Sequence, residues 1–201
     1  EDVAGVINII TKKGGDKPFG TTGSVSAGSY NSFRGNAGVS GKKNKIDYNA
    51  DYSYAKTKGI NEAITANNTF DKDGYTQQSM QAGIGIRPAA NFRIAPYIRF
   101  TSIKGDIDQG AFTDELDYTY TQKSVQAGVR NEISFGKTKL NILYSYNKID
   151  REYIDDSIKS RNGYDTYSKG KYTGSEQFAD AYAAIDVNQK TKLTVGIDYR
   201  S

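Results

Sequence analysis

The sequence predicts an all-β fold, the wall of a transmembrane antiparallel β-barrel, from three observations. Apolar and polar residues alternate over long segments, as in Ile46, Tyr48 and Ala50 against Asp47 and Asn49. Because neighbouring side chains of a strand point to opposite faces, this period predicts strands with one apolar and one polar face. Short turns alternate with long polar loops along the chain. Gly and Tyr are abundant (21 and 16), while only 36% of residues are hydrophobic. Outer-membrane barrels combine these three properties.

The polar composition does not argue against a membrane location. The mean hydropathy is −0.68, and no run approaches the roughly 20 apolar residues of a transmembrane helix. Disordered chains are also polar, but they are poor in aromatic residues, which make up 12% of this sequence. In a membrane barrel only alternate residues of each strand face lipid. A barrel therefore accounts for both the low hydropathy and the aromatic content.

The first five strands are predicted from their alternation and from the turns between them. The first two form a hairpin with a short connection at Asn31-Ser32, and Pro88-Ala89-Ala90-Asn91 forms a later turn. The long loop 57–75 separates the third strand from the fourth. The predicted strands and their apolar-face residues are 21–30 (Val25, Ala27), 33–42 (Ala37, Val39), 46–56 (Ile46 to Tyr54), 76–87 (Met80 to Ile86) and 92–103 (Phe92 to Phe100).

Four more strands follow the same rule. Loops 104–119 and 151–172 are long, whereas Phe135-Gly136-Lys137-Thr138 and Asn188-Gln189-Lys190-Thr191 form short turns. The predicted strands are 120–135 (Val125, Ala127, Val129, Ile133), 139–150 (Leu140, Ile142, Tyr144, Tyr146), 173–187 (Ala181, Ala183, Ile185, Val187) and 192–200 (Leu193, Val195, Ile197, Tyr199). A tilted transmembrane strand needs about 9–11 residues, a length that these segments reach.

Composition also restricts the chemistry. The net charge of +4 is spread through the chain without a basic block, which disfavours nucleic-acid binding. Lysines at turns, as in Lys42-Lys43-Asn44-Lys45, are interpreted as solvated charge, with binding of anionic lipid as the less favoured alternative. Without Cys or His, thiol or imidazole catalysis and Cys/His zinc sites are excluded. Because carboxylate side chains are present, a calcium site remains open.

The N-terminal segment differs from the rest. Residues 3–11 are almost continuously apolar, which suits a strand buried on both faces. Residues 14–18, with two glycines and a proline, then mark a boundary. Nine strands with two free edges would leave unsatisfied backbone groups in lipid. We therefore expect the sequence to be part of a longer protein, with further strands beyond Ser201 and an export signal outside this piece.

The segment Ala4-Gly5-Val6-Ile7-Asn8-Ile9-Ile10-Thr11-Lys12 resembles the end of the plug domain in TonB-dependent outer-membrane receptors. Residues 28–35 are similar to the first barrel hairpin of that family, with the cobalamin, colicin and siderophore receptors as the nearest branch. The resemblance implies a plug end at 1–13, a linker at 14–20, and at 21–201 about nine strands of a 22-stranded barrel.

The same resemblance implies a function. Such receptors take up a scarce, bulky nutrient (a corrinoid, a siderophore or a similar molecule) across the outer membrane of a Gram-negative bacterium. The TonB system would act through a missing N-terminal region. Outer-membrane lipid, a bulky ligand and a surface lipoprotein, colicin or phage are the implied partners. No cofactor is required, and calcium in the extracellular loops is the one metal left open.

Two neighbouring loops carry the candidate calcium ligands. Asp71 and Asp73 precede a turning glycine, and two carboxylates at this spacing can converge on a calcium ion. Residue 82 is alanine where an EF-hand needs a bidentate glutamate. By resemblance to cobalamin receptors, Asp71, Asp73, Asp108 and Asp117 are the matching positions. A solvated acidic surface is the favoured interpretation of these loops, with calcium binding as the alternative, and Asp155, Asp156 and Asp165 in the third loop are expected to face solvent.

Aromatic and arginine residues give two further expectations. Loop aromatics suit a large ligand, but a membrane-interface girdle is the favoured interpretation. These residues are Phe70, Tyr75, Phe112, Tyr118, Tyr120, Tyr153, Tyr164, Tyr167 and Tyr172. Charge on the lipid face costs about 2–4 kcal/mol at the midplane. Arg99 and Arg130 are therefore expected to face the lumen or the plug, and Arg87 to sit beside a short turn.

Three other functional classes remain open. A passive porin or adhesin would show the same strands but would not explain residues 3–11. A soluble β-sheet binding module should have a denser apolar face and no regular difference between short and long loops. An outer-membrane hydrolase is the weakest alternative, since no nucleophile and base can be paired, although a carboxylate dyad stays open. The protein is predicted not to be an enzyme.

Overall fold

The computed structural model describes residues 17–63, 71–110, 112, 114–156 and 167–201. These residues form one antiparallel sheet of nine strands, in which each strand pairs with the next along the chain. The strands are β1 (Gly20–Gly28), β2 (Ser32–Lys43), β3 (Ile46–Ile60), β4 (Asp73–Ala89), β5 (Phe92–Asp106), β6 (Tyr118–Phe135), β7 (Thr138–Asp155), β8 (Ser168–Asp186) and β9 (Lys192–Arg200).

The all-β, antiparallel prediction is confirmed, with every predicted strand present. The apolar segment 3–11 and the predicted plug end lie outside the described residues, as do residues 14–16 of the linker. The described part of the chain contains no helix long and apolar enough to cross a membrane.

Most of the strands on either side of the long loops are longer than predicted. The prediction ended β7 at residue 150 and began β8 at 173, but pairing continues to Asp155 opposite Ser168. The sequence there loses its apolar alternation, yet backbone groups pair whatever the side chains are. Strand length is therefore underestimated wherever both faces are polar.

Register divides the sheet into two faces. In an antiparallel pair, directly opposed residues point to the same side. The apolar face carries Met80, Phe100 and Val125, which lie opposite one another on β4, β5 and β6. Its apolar residues on β6 extend from Val125 to Phe135, about 34 Å along the strand. At a tilt of about 45° this spans about 24 Å, close to the apolar band of about 25 Å in membrane barrels.

The polar face carries Asp51, Gln81, Arg99 and Gln126, again in one row across β3 to β6. Arg99 Nη1 donates a hydrogen bond to Gln126 Oε1 at 3.1 Å. Arg130 lies on the same face as Gln126, four residues along β6. Both arginines therefore avoid the apolar face, as their sequence positions predicted.

A network centred on Asp47 joins four strands of the polar face. The Asp47 carboxylate accepts hydrogen bonds from Arg87 Nη1 (2.7 Å) and from Arg93 Nη2 (2.7 Å) and Nε (3.3 Å). Arg93 also lies 3.6 Å from Glu132 on β6. Gly85 provides the space, since a Cβ there would overlap the Arg93 guanidinium and the Asp47 carboxylate. Arg87 does lie beside a short turn, and its charge is used in this network.

Candidate functional site

The strand ends that flank the long loops between β3 and β8 all lie at one rim of the sheet, called here the loop rim. The β1–β2 connection at this rim is a tight turn, with Tyr30 (φ 60°) and Asn31 (φ 52°) both left-handed. Two consecutive positive φ angles define a type I′ hairpin turn. The other connections at the rim bring acidic loop residues beside the polar face.

Asp71, Asp108 and Asp114 form the first acidic group. Each offers a carboxylate oxygen within 4.8 Å of those of the other two. Asp71 lies before β4, while Asp108 and Asp114 belong to the loop between β5 and β6. Asp108 Oδ1 accepts the backbone N–H of Glu115 at 2.9 Å, which fixes this loop. Two loops distant in sequence thus contribute to one cluster of carboxylates.

Asp73 lies beside this group and is buried, with 6% of its surface exposed. Its Oδ2 accepts the backbone N–H of Glu62 at 2.7 Å. Burial, together with the carboxylates of Asp108 and Asp71, raises the pKa of Asp73 to about 6, against the lowering effect of the Glu62 N–H. Burial, then Asp114 and Asp108, also raises the pKa of Asp71. Like charges are therefore held together at a site that favours a cation or protons.

A hard cation fits these residues. Among the described residues, no donor reaches Asp71 Oδ1, Asp73 Oδ1 or Asp108 Oδ2, although all three atoms are buried. Buried polar atoms normally have a partner. Calcium takes six to eight oxygen ligands, including carboxylates and backbone carbonyls. Asp71, Asp73, Asp108 and Asp114 are the side chains that would hold it.

Glu115, Asp117 and Asp155 form a second acidic group, also with carboxylate oxygens within 4.8 Å of one another. Asp117 was predicted to join Asp71, Asp73 and Asp108, but it belongs to this group. Asp155 was expected to face solvent, and this expectation is wrong, since only 6% of it is exposed. The continued pairing of β7 places Asp155 opposite Tyr118 and so on the polar face.

The sequence reasoning did not select Asp114 or Asp155 as ligands. Asp114 lies in an irregular loop, where no period indicates which side chain turns inward. Asp155 could have been found by counting, since alternate residues from Asn147 to Asp155 share the polar face.

Four tyrosines, called here the tyrosine cluster, lie next to the second acidic group. The ring centroids of Tyr118 and Tyr120 each lie 6.3 Å from that of Tyr153, and Tyr172 packs edge-on against Tyr153 at 6.0 Å. Register places all four on the polar face, in the same alternation as Gln122. The expected membrane girdle is therefore wrong for these residues, because a girdle residue must point towards lipid.

Tyr75 shares the polar face with this cluster, through the pairs Tyr75–Gly105 and Gly105–Tyr120. The girdle expectation is therefore wrong for Tyr75 too. Phe70 and Tyr164 lie outside the described residues.

A concavity of about 860 Å³ opens beside the tyrosine cluster. Its wall includes Tyr118, Tyr153, Tyr172 and Arg151, and Gly174 leaves open space, since a Cβ there would meet nothing within 4 Å. Aromatic walls with one cationic group suit a bulky ligand that carries flat surfaces and negative charge.

Arg151 is positioned by neighbours on its own face. Its Nε donates to Gln122 Oε1 at 2.9 Å, and its Nη1 donates to the Tyr153 hydroxyl at 3.2 Å. The guanidinium carbon lies 6.0 Å from the Tyr153 ring centroid. In the described part of the chain, no carboxylate forms an ion pair with Arg151. Within the described ranges, its charge is therefore oriented by polar neighbours and has no ion-pair partner.

Comparison with known proteins gives a structural match without a sequence match. No protein-family model matches the chain, and no curated protein sequence matches it. Solved structures do match the chain. One is a crystal structure of a mutant of the ferric enterobactin receptor from Pseudomonas aeruginosa. The TM-score is 0.69 at 15% sequence identity, over 98% of this chain.

The match covers 32% of the receptor chain, so this sequence spans about a third of that protein's length. At this identity the likeness shows the fold alone. The nine-stranded sheet therefore has the fold of the matching part of that receptor.

Proposed function

We propose that this chain is part of a TonB-dependent receptor that actively takes up a scarce, bulky nutrient across the outer membrane. The observation that carries the proposal is the structural match over 98% of the chain to a ferric siderophore receptor. An apolar face of membrane height, opposite a polar face, supports the location in a bilayer. The two sheet edges, β1 and β9, would pair with further strands of the closed barrel.

Ligand binding is assigned to the concavity beside the tyrosine cluster. Tyr118, Tyr153 and Tyr172 offer flat apolar area with hydroxyl groups, and Arg151 offers a positive charge. A corrinoid or a metal–siderophore complex has the size and the polar periphery for such a wall. The TonB system would act through plug residues, for which the segment 1–13 is the candidate end.

Calcium is proposed as a structural ion of the loop rim. It would be held by Asp71, Asp73, Asp108 and Asp114, which come from two loops. Binding would replace repulsion among the carboxylates with shared coordination, and so order both loops beside the concavity. Asp117, predicted as a ligand of the same ion, belongs to the second acidic group.

Uptake assays in cells test the transport proposal. Labelled cobalamin and a panel of ferric siderophores would be offered to cells that carry the complete protein, with and without a functional TonB system. Accumulation that requires both TonB and the protein is expected. Accumulation without TonB, limited only by solute size, would instead favour the passive porin.

Two tyrosine variants test the ligand site. Tyr153→Ala removes a ring at the centre of the cluster, and we expect it to weaken ligand binding about tenfold. Tyr146→Ala is the matched control, because Tyr146 lies on the apolar face of the same strand, opposite Ala127. Equal effects of the two substitutions on binding would contradict the assigned site.

A further inference from the structure

A second concavity, of about 410 Å³, lies at the loop rim on the opposite side of the sheet from the tyrosine cluster. Its lining includes Lys56, Lys58, Lys72 and Lys104, which are called here the lysine cleft. Lys56 pairs with Thr76, and Thr76 with Lys104. By alternation these positions share the side of Tyr52, Met80 and Phe100, the apolar face. The cleft therefore faces away from the lumen of the proposed barrel.

The lysine cleft has a large excess of positive charge. Four ammonium groups line it, and Asp106 is the one carboxylate among the lining residues. Within the described residues, no carboxylate oxygen lies within 4.0 Å of any of the four ammonium groups. Four like charges around one concavity repel one another, and an anion there would relieve the repulsion.

Some lysines of β7 and β8 on the same side are paired with carboxylates. Lys148 lies 3.4 Å from Asp150, and Lys169 lies 3.2 Å from Glu152. Lys123 on β6 and Lys171 on β8 share this side and, like the cleft lysines, form no ion pair within 4.0 Å among the described residues. What distinguishes the cleft is therefore that four such lysines line one concavity.

The height of the cleft matches a lipid headgroup. Lys104 follows Phe100, the last apolar residue on that side of β5, by four residues. This is about 13 Å along the strand and about 9 Å along the membrane normal at a tilt of about 45°. Headgroups occupy a layer about 5–8 Å thick just outside the hydrocarbon core. The backbone of Lys104 therefore lies at the outer edge of this layer, from which the long side chain can reach the phosphate level.

We propose that the lysine cleft binds the phosphorylated headgroup of a lipid in the outer leaflet. Lysine binds phosphate as a compact charge with three donors. The acyl chains of the same lipid would lie against Met80 and Phe100, directly below the cleft. A free anion would gain nothing from this apolar surface, so the site favours a lipid. The inference rests on the membrane location in the proposed function, but not on transport.

Binding of short-chain lipids to the complete protein in neutral detergent tests this proposal. The probes are dioctanoyl phosphatidic acid, dioctanoyl phosphatidylcholine and inorganic phosphate, with affinity measured by native mass spectrometry and calorimetry. The test variant changes Lys56, Lys58 and Lys104 to Gln. Lys72 stays, because it separates Asp71 from Asp73. The control variant changes three lysines at the opposite rim, Lys42, Lys43 and Lys137, to Gln.

Phosphatidic acid is expected to bind at least tenfold more tightly than phosphatidylcholine. A lysine near an anionic lipid surface is worth about fivefold in affinity, so the test variant should lose about ten- to a hundredfold. The control variant should lose less than about threefold. Changing the same three cleft lysines to Arg keeps the charge and should keep the binding. Folding of every variant is verified by the heat-dependent shift in gel mobility.

Three results would overturn the proposal. The first is a test variant that binds phosphatidic acid within about threefold of the unchanged protein. The second is an equal loss in the control variant, which would indicate unspecific attraction. The third is inorganic phosphate bound as tightly as phosphatidic acid through the same lysines, which would assign a free-anion site. Neither TonB nor a transported ligand takes part in these lipid-binding measurements. A failure of the transport proposal can therefore be distinguished from a failure of the lipid proposal.

Discussion

Replacing Asp47 with Asn should destabilise the sheet more than the same change elsewhere on its polar face. Asp47 is 6% exposed and accepts hydrogen bonds from both Arg87 and Arg93. Asn keeps the size of the side chain but removes its charge. Among the described residues, the two guanidinium groups would then keep Glu132, 3.6 Å from Arg93, as their remaining counter-charge.

The expected loss is about 3 kcal/mol in the free energy of unfolding. Removing one partner of a buried ion pair costs about 3–5 kcal/mol, because the other charge is left uncompensated. Arg93 fits that case, with 11% of its side chain exposed. Arg87, at 36%, is partly screened by solvent, so its share is smaller. The lower end of the range therefore applies.

Asp51→Asn is the matched control. Asp51 lies on the same face of the same strand, is only half-buried, and accepts one hydrogen bond, from Gln81 Nε2 at 3.2 Å. Loss of this hydrogen bond should lower the free energy of unfolding by about 1 kcal/mol. Urea titration in lipid vesicles, followed by far-ultraviolet circular dichroism under reversible conditions, measures the free energy of unfolding of both variants. If Asp47→Asn came within 1 kcal/mol of Asp51→Asn, the network would not have the stabilising role described.

Further outcomes concern the cation site and the packing of the sheet. Asp114→Asn should weaken calcium binding about tenfold or more by calorimetry, since affinity follows ligand charge, whereas Asp106→Asn, on the other side of the sheet, should leave it unchanged. The pKa of Asp73 rises from 3.8 to about 6 on folding. The cation-free protein should therefore lose stability as pH rises from about 4 through 6, while calcium affinity rises over that range; the opposite slopes would contradict the assignment. Gly128→Ala should lower the unfolding midpoint, because a Cβ would come within 2.7 Å of the Tyr97 ring, whereas Gly174→Ala should leave it unchanged because nothing lies within 4 Å.

Alternation was sufficient to predict the strands, because a sheet with one apolar face leaves a regular trace in the sequence. The segments around Met80 and Val125 carry it most clearly, and their pairing follows from the short turns. The same alternation correctly predicted that Arg99 lies away from the apolar face. Where both faces are polar, as near Tyr153, the apolar–polar alternation ends although the strand continues.

The candidate site was only partly predictable for the same reason. Asp71, Asp73 and Asp108 were recognised as acidic loop residues, but no period indicates that Asp114 joins them. The tyrosine cluster was assigned to the wrong side because its residues were treated as belonging to loops. Had Tyr120 been counted along β6 from Gln126, the alternation would have placed it on the polar face.

The unequal heights of the strands give this wall a low side and a high side. β1 has 9 residues and only crosses the apolar band, whereas β8 has 19 and rises about 16 Å beyond it at a tilt of about 45°. The concavity beside the tyrosine cluster lies in this raised part, between β6 and β8. In the proposed receptor, a bulky solute would thus be captured in external water, before it passes the level of the lipid headgroups. Capture and passage would then be separate steps. The affinity of capture would not depend on the surrounding lipid, whereas passage would take place within the membrane.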